Sequence, residues 1–354
     1  MVSIRKAEAA TPRLTERQAS VLRAVVTGYV GEASPIGSKT ISHLLPVSIS
    51  SASIRSVLAE LTELGLVEQP HRSAGRIPTE FGLRLFVDEL LSPARLAASQ
   101  RRELAYQLDD AHGDDLMPLA SEILSRHTRQ LGFVVAPRLD RVVLTHVSLV
   151  RLSSERLLVV LISRTGTTYR RVIDNEPVID QRELDRVAAV LSERVLGRTL
   201  VEVRELLTRE AALLQREADD LQSRAVEIGR LVLAGTDPQA GDLVIETRMG
   251  LLEQPEFNDP RRLRDLFEAI ETKERLLSVL DGILEQDGVS VAIGREIDDP
   301  SLRGCALVAT SYGGAGADEA LGALGVIGPS RMDFGRIIPL VDYVSTLMTE
   351  RLCA

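Results

Sequence analysis

The stretch PIGSKTISHLLPVSISSASIRSVLAELTELGLVEQPHRSAGRIPTEFGLRLFVDELL, Pro35 to Leu91, decides the fold. It predicts two short helices joined by a tight turn, then a strand, a basic loop and a second strand or helix. Ser38 is suited to cap a helix through about Leu45, and Pro46 stops it, because proline lacks the N–H and clashes with the preceding turn. A second helix starts at Ser50 or Ser51, whose hydroxyl can accept an orphan N–H of the first turn. Ile54, Val57, Leu58, Leu61 and Leu64 recur at helical spacing and predict its buried face. The opposite face carries Ala52, Arg55, Ser56 and Ala59, followed by Glu60 and Glu63.

Small and hydrogen-bonding residues therefore lead that face, and the acids trail. This order suits a helix entering the DNA major groove by its N-terminal end. Ser51, Ala52 and Ser56 permit close approach, Arg55 can reach a guanine edge or a phosphate, and the carboxylates stay clear of the backbone. Gly65 can end the helix in the left-handed conformation. Leu66 to Glu68 then reads as a short strand, and HRSAGR, His71 to Arg76, as a basic loop tip. A basic tip beside such a helix is the wing of a winged helix-turn-helix, with Lys39, Arg72 and Arg76 available to phosphates or groove. An antiparallel helix pair with a solvated turn shares the pattern as far as Leu64; the wing and the charge order favour DNA.

Outward from this stretch, TERQ (Thr15–Gln18) offers a capping box for a preceding helix with an apolar stripe of Val21, Leu22, Val25, Val26 and Tyr29. Residues 1–13 read as a disordered tail. Past Leu91, a polar connecting helix breaks at His112 and Gly113, and a second helix, Leu116 to Gln130, leads into the apolar run GFVVAP. RVVLTHVSLVRL, RLLVVLISRTG and TTYRRVI follow as an antiparallel meander. Helical segments run from Gln181 to about Leu233, and residues 234–241 punctuate a linker. Asp259 and Pro260 start another helix, expected to reach Leu284. VSVAIG, CALVATSY and ALGALGVIG are strand candidates before a last amphipathic helix, Met332 to Arg351. The order is that of an α+β multidomain protein.

Three segments carry a resemblance. Ser50 to Leu91, Leu251 to Leu280 (LLEQPEFNDPRRLRDLFEAIETKERLLSVL) and Gly325 to Val344 (GVIGPSRMDFGRIIPLVDYV) resemble HrcA, the heat-inducible transcription repressor family of bacterial chaperone operons. Ser56 stands where the family usually has Asn, and Leu83, Arg84, Leu85 and Phe86 stand in a stretch usually richer in aromatics. The resemblance implies a winged helix-turn-helix (residues 12–91), a GAF-like α/β domain split into 92–140 and 241–354, and an inserted dimerisation domain at 141–240. It implies a homodimer that represses operons of the groE and dnaK type from an inverted-repeat (CIRCE-type) operator in double-stranded DNA, released on heat stress and modulated by the GroEL chaperonin. A dimer also has a physical reason, since pairing two weak half-site contacts raises affinity through effective concentration. The alternative is a GAF-type regulator responsive to a small ligand.

The net charge of −9 opposes a DNA partner until the chain is divided. Residues 1–91 hold 10 Lys/Arg and 9 Asp/Glu, a balance of +1, leaving −10 for the rest. An acidic body with a near-neutral head fits a modular DNA binder. Aromatics are 3% of the chain and Trp is absent, so its cores rest on Leu, Val, Ile and Ala. Cys305 and Cys353 form no metal or disulfide pattern, the N-terminus lacks a signal-peptide core, and no apolar run approaches the ~18 residues of a membrane span. A cytoplasmic protein without a membrane partner is expected. The five histidines have no metal-ligand spacing. SYGGAGADEALG lacks the Lys-Ser/Thr of a phosphate loop and reads as a hairpin turn. With no GxSxG and no distinguished carboxylate pair, neither an enzyme nor a cofactor is expected.

Overall fold

The computed structural model describes residues 12–47, 49–109, 111, 115–136, 142–164, 168–174, 179–214, 226, 228–229, 243–246, 251, 253–271, 288–297, 299–313 and 321–353. The predicted tail up to residue 11, the break at His112–Gly113, the linker 234–241, the helix beyond Glu271 and the hairpin tip 314–320 lie outside these residues. The described chain is mixed α+β, with an N-terminal helical region followed by two larger sheets and their helices.

α1 (Glu16–Glu32) opens with the expected capping box: Gln18 N–H donates to the Thr15 hydroxyl at 3.3 Å, and Thr15 N–H donates to Gln18 Oε1 at 2.9 Å. α2 (Ser38–Leu44) and α3 (Ser51–Glu63) follow. Ser38 is the first residue inside α2 and not its cap; Gly37 holds that position with no side-chain bond. The cause lies one residue earlier. Ile36 exchanges both backbone hydrogen bonds with Arg76, each 2.9 Å, which keeps the chain extended up to Gly37. Ser50 caps α3, and Ile54, Val57, Leu58 and Leu61 are buried. Leu64 departs from expectation: it closes the helix at the C-cap and is 39% exposed. Gly65 then turns the chain with φ +70°, the left-handed conformation that glycine adopts without steric cost.

β1 (Val67–Glu68) and β2 (Ile77–Pro78) pair antiparallel, and the Ile36 bridge adds a third segment at their base. α4 (Glu80–Leu85), capped by Thr79, continues as a π turn over Phe86–Leu90. Gly82 lets α4 lie against β1, since a Cβ there would stand 2.0 Å from the Leu66 carbonyl oxygen.

α5 (Ala98–Asp109) and α6 (Leu116–Thr128) lead to β3 (Leu131–Val135). β4 (Val143–Arg151), β5 (Arg156–Ser163) and β6 (Thr168–Asp174) form the meander. With β7 (Arg198–Thr199) they make a four-stranded sheet in the order β6-β5-β4-β7. α7 (Gln181–Val195) covers one face of it, and α8 (Leu200–Leu214) follows β7. Leu144, Val147, Leu149, Leu157, Val159 and Leu161 close a core with α7 that, among the described residues, is distinct from the other two cores.

The second sheet takes β3 from before the meander and four strands from after it: β8 (Leu243–Glu246), β9 (Ser290–Ile293), β10 (Cys305–Tyr312) and β11 (Gly322–Pro329). Its order is β8-β3-β11-β10-β9, every pair antiparallel. α6 and the last helix, α10 (Phe334–Cys353), pack on one face. Phe257, Leu266 of α9 (Pro260–Glu271) and Leu302 fill the other. Gly322 makes room for Tyr312 to reach across β11 and donate to the Val135 carbonyl at 2.7 Å. Burial holds that phenol well above its ordinary pKa, so it stays a donor. Cys305 lies buried in β10, and burial pushes its thiol up to about 12, an inert state. One continuous core joins Val21, Leu22 and Ile54 of the N-terminal helices to Ile123 of α6 and Val344 and Met348 of α10.

Candidate nucleic-acid interface

α3 is held from behind by its four buried aliphatics and in front presents Ser51, Ala52, Arg55 and Ser56, all exposed. Its N-terminal turn is fixed by Ser50, whose oxygen accepts from Ser53 N–H at 3.2 Å and whose hydroxyl pairs with that of Ser53 at 3.0 Å. The acids sit away from this leading edge. Glu60 Oε2 accepts from Gln18 Nε2 of α1 at 2.9 Å, so its carboxylate is turned toward the scaffold. Lys39 is exposed on the first turn of α2.

The loop between β1 and β2 is built by its own side chains. Gln69 Nε2 donates to the carbonyls of Arg72 (3.0 Å) and Ala74 (2.9 Å), and Ala74 N–H donates to the His71 carbonyl at 2.8 Å. Arg72 is exposed at the tip. Arg76 belongs to the base: it is half-buried, its backbone is bridged to Ile36, and its Nε is buried without a partner. Gly75 makes this closure possible, because a Cβ there would lie 2.3 Å from the Ile36 carbonyl oxygen. Six of the residues singled out from the sequence thus present an exposed side chain on one helical unit, and Arg76 stands behind them.

Two polar junctions join this unit to the body. Arg84 of α4 is 5% exposed and spends its guanidinium on Glu296 (Nε to Oε1, 3.0 Å), Asp88 (3.1 Å) and the Val291 carbonyl of β9 (2.6 Å). Glu80 reinforces it by accepting from Arg295 N–H at 3.3 Å. At the second junction Arg331 pairs with Glu256, donates to Gln254 Oε1 at 2.7 Å, and reaches the Val30 carbonyl at the end of α1 at 3.1 Å. Arg84 escaped the sequence reading; its signal was a lone arginine inside the apolar run Leu83–Val87. Among the described residues no group of acidic, His or Cys side chains could hold a metal, and no helix is long and apolar enough to cross a membrane.

A helix with a small, uncharged leading edge and one free-standing arginine, flanked by a basic hairpin and fixed to a larger body, defines a DNA-binding regulator. The family model described as HrcA protein C terminal domain matches residues 114–338. The chain is 36% identical to the heat-inducible transcription repressor HrcA of Syntrophobacter fumaroxidans over 96% of its length and 97% of that protein. It is 33% identical to the HrcA of Geobacter sulfurreducens over 96% of its length and 98% of that protein. A crystal structure of a hypothetical protein, 21% identical, superposes with a TM-score of 0.60 over 96% of this chain and 97% of that one, which concerns the fold alone. The chain belongs to the HrcA family.

Proposed function

We propose that this protein is a heat-inducible repressor of chaperone operons, of the groE and dnaK type, that binds an inverted-repeat (CIRCE-type) operator as a homodimer in the cytoplasm. Residues 12–91 act as the winged helix-turn-helix, 92–140 with 241–354 as a split GAF-like domain, and 141–240 as the inserted dimerisation domain. The observation that carries the reading is the exposed Ser51–Ala52–Arg55–Ser56 edge of α3 in a chain of the HrcA family. Arg55 reads a base, Ser51, Ala52 and Ser56 set the approach, and Lys39 and Arg72 meet phosphates. Arg76, whose side chain is half-buried at the base of the wing, is the third candidate for phosphates or groove.

The dimer is supported by the outer face of the four-stranded sheet. Leu158 stands opposite Val150 and Val172 in register, and these two are 40% and 47% exposed. Val160 and Ile162 continue the same face of β5, away from the core with α7. This aliphatic strip, bordered by Ser148, Arg170 and Thr168 opposite Val160 and Ile162, is suited to a second copy of the chain. GroEL as a modulating partner rests on family membership.

The test is a mobility shift of the purified protein on the DNA upstream of its host's chaperonin operon, with scrambled DNA at equal salt and with or without GroEL. Specific binding that GroEL strengthens is expected. Equal affinity for operator and scrambled DNA by folded dimer would overturn the target.

A further inference from the structure

The N-terminal helical unit is attached to the body by two kinds of contact that do different things. The continuous core running from Val21, Leu22 and Ile54 to Ile123, Val344 and Met348 keeps the unit in place. Apolar burial has no preferred direction, so it does not by itself fix how the unit is turned. Hydrogen bonds fix angle as well as distance.

Those bonds leave the unit from two helices. At the start of α4, Glu80 Oε2 accepts from Arg295 N–H at 3.3 Å. Its carboxylate lies against Gly294, where φ is +56° and a Cβ would stand 2.0 Å from Glu80 Oε1. One turn further on, Arg84 donates to the Val291 carbonyl and pairs with Glu296. A carboxylate and a guanidinium on α4 thus meet opposite partners in the segment 291–296, and the helix fits there in one direction only. At the end of α1, Arg331 donates to the Val30 carbonyl at 3.1 Å, in a last turn that has no basic residue of its own. Arg331 is held in turn by Glu256 Oε2 at 3.0 Å and Gln254 Oε1 at 2.7 Å. Anchors at Glu80, Arg84 and Val30 leave the unit no axis to turn about. Desolvated ion pairs add little stability over apolar contacts of equal volume, and their best-attested use is to select one arrangement among several.

We infer that Arg331 and Glu80 are positioning residues that set the half-site spacing the repressor accepts. The inference rests on the reading of the protein as a dimeric repressor. Each base pair inserted between two half-sites moves one of them by about 3.4 Å and turns it by about a tenth of a turn. A loosely seated pair of units follows that change, whereas a fixed pair does not. Arg331 and Glu80 act through the angle at which α3 is presented, not through a base.

The test is a mobility shift on operators with the native spacing, with one to three base pairs removed or added, and on a single half-site, all at equal salt. The unmutated chain should show a sharp optimum, losing about tenfold or more for a change of one base pair. In Arg331→Met and Glu80→Ala, singly and together, neighbouring spacings should come within about threefold of one another. Affinity at the native spacing should fall by about tenfold while affinity for the single half-site stays unchanged. Sedimentation and urea unfolding establish that each variant is a folded dimer. Should Arg331→Met fail to fold, Glu80→Ala, which alters a half-buried side chain in the first turn of α4, carries the test alone. A sharp optimum kept by the folded variants, half-site affinity lost in step with full-site affinity, or a flat profile in the unmutated chain would each overturn the inference and leave the repressor standing. Equal binding of operator and scrambled DNA by the unmutated chain would overturn the repressor reading itself, and the inference with it.

Discussion

The outer face of α3 and the outer face of the four-stranded sheet are both exposed, yet they are made of opposite materials. α3 offers Ser, Ala and a single Arg, with its acids turned back or trailing. The sheet offers an aliphatic strip of Val150, Leu158, Val160, Ile162 and Val172, with Ser148, Arg170 and Thr168 beside it. A surface suited to hydrated phosphates and base edges is small and polar, whereas one suited to excluding water is aliphatic. The attachment differs as well. The sheet unit closes its own core with α7, while the helical unit shares its core with α6 and α10 and is fixed to the body by the Arg84 and Arg331 junctions. Among the described residues, the helical unit is fastened to the body by side-chain bonds, and the sheet unit closes a core of its own.

The largest break in this contrast comes from the buried junction. Arg84→Met removes the cation beside Asp88, whose side chain is 2% exposed, and should cost about 3–5 kcal/mol of stability in urea unfolding. A loss below about 1 kcal/mol would mean the junction is dispensable. Next, Leu158→Glu puts a charge in the middle of the aliphatic face. Sedimentation should show a monomer with unchanged secondary structure, and operator affinity should fall by about 100-fold or more as effective concentration is lost. A dimer that persists would assign the face to another partner.

On the polar side the effects are smaller and separable. Arg55→Ala should cost about 1–3 kcal/mol and relax preference at one operator position, read by binding to a set of single-base variants. Arg72→Ala should leave preference intact and reduce the salt slope of binding by about 1. The smallest effect is a pH dependence. His127 titrates below its ordinary 6.5 in the folded chain, so on acidification the unfolded chain takes the proton first and stability declines as pH drops below about 6.5. His127→Asn should flatten that part of a melting-temperature profile between pH 7 and pH 5.5.

Periodicity made α1, α3, α7 and the meander legible, because each is long enough for its apolar spacing to repeat. β8 was not foreseen. Leu243–Glu246 is a four-residue edge strand, too short for alternation to register, and only its partner β3 defines it. The leading edge of α3 could be read from order along one helix. The position of Arg76 could not, since its half-burial comes from the bridge to Ile36, far away in the chain. Arg84 shows the same limit. In sequence it is a lone charge inside the apolar run Leu83–Val87, and only the arrival of Glu296 and the Val291 carbonyl turns it into a fastening.

That fastening has a consequence for how the protein is made. A ribosome delivers the N-terminal helices first, but the groups they are seated on, Val291, Glu296, Arg331 and α10, emerge at the other end of the chain. Leu131 must likewise wait for Ile327 before the sheet behind them can zip. The N-terminal unit is therefore synthesised early and seated late, and an interrupted chain carries it without the groups that fix its posture.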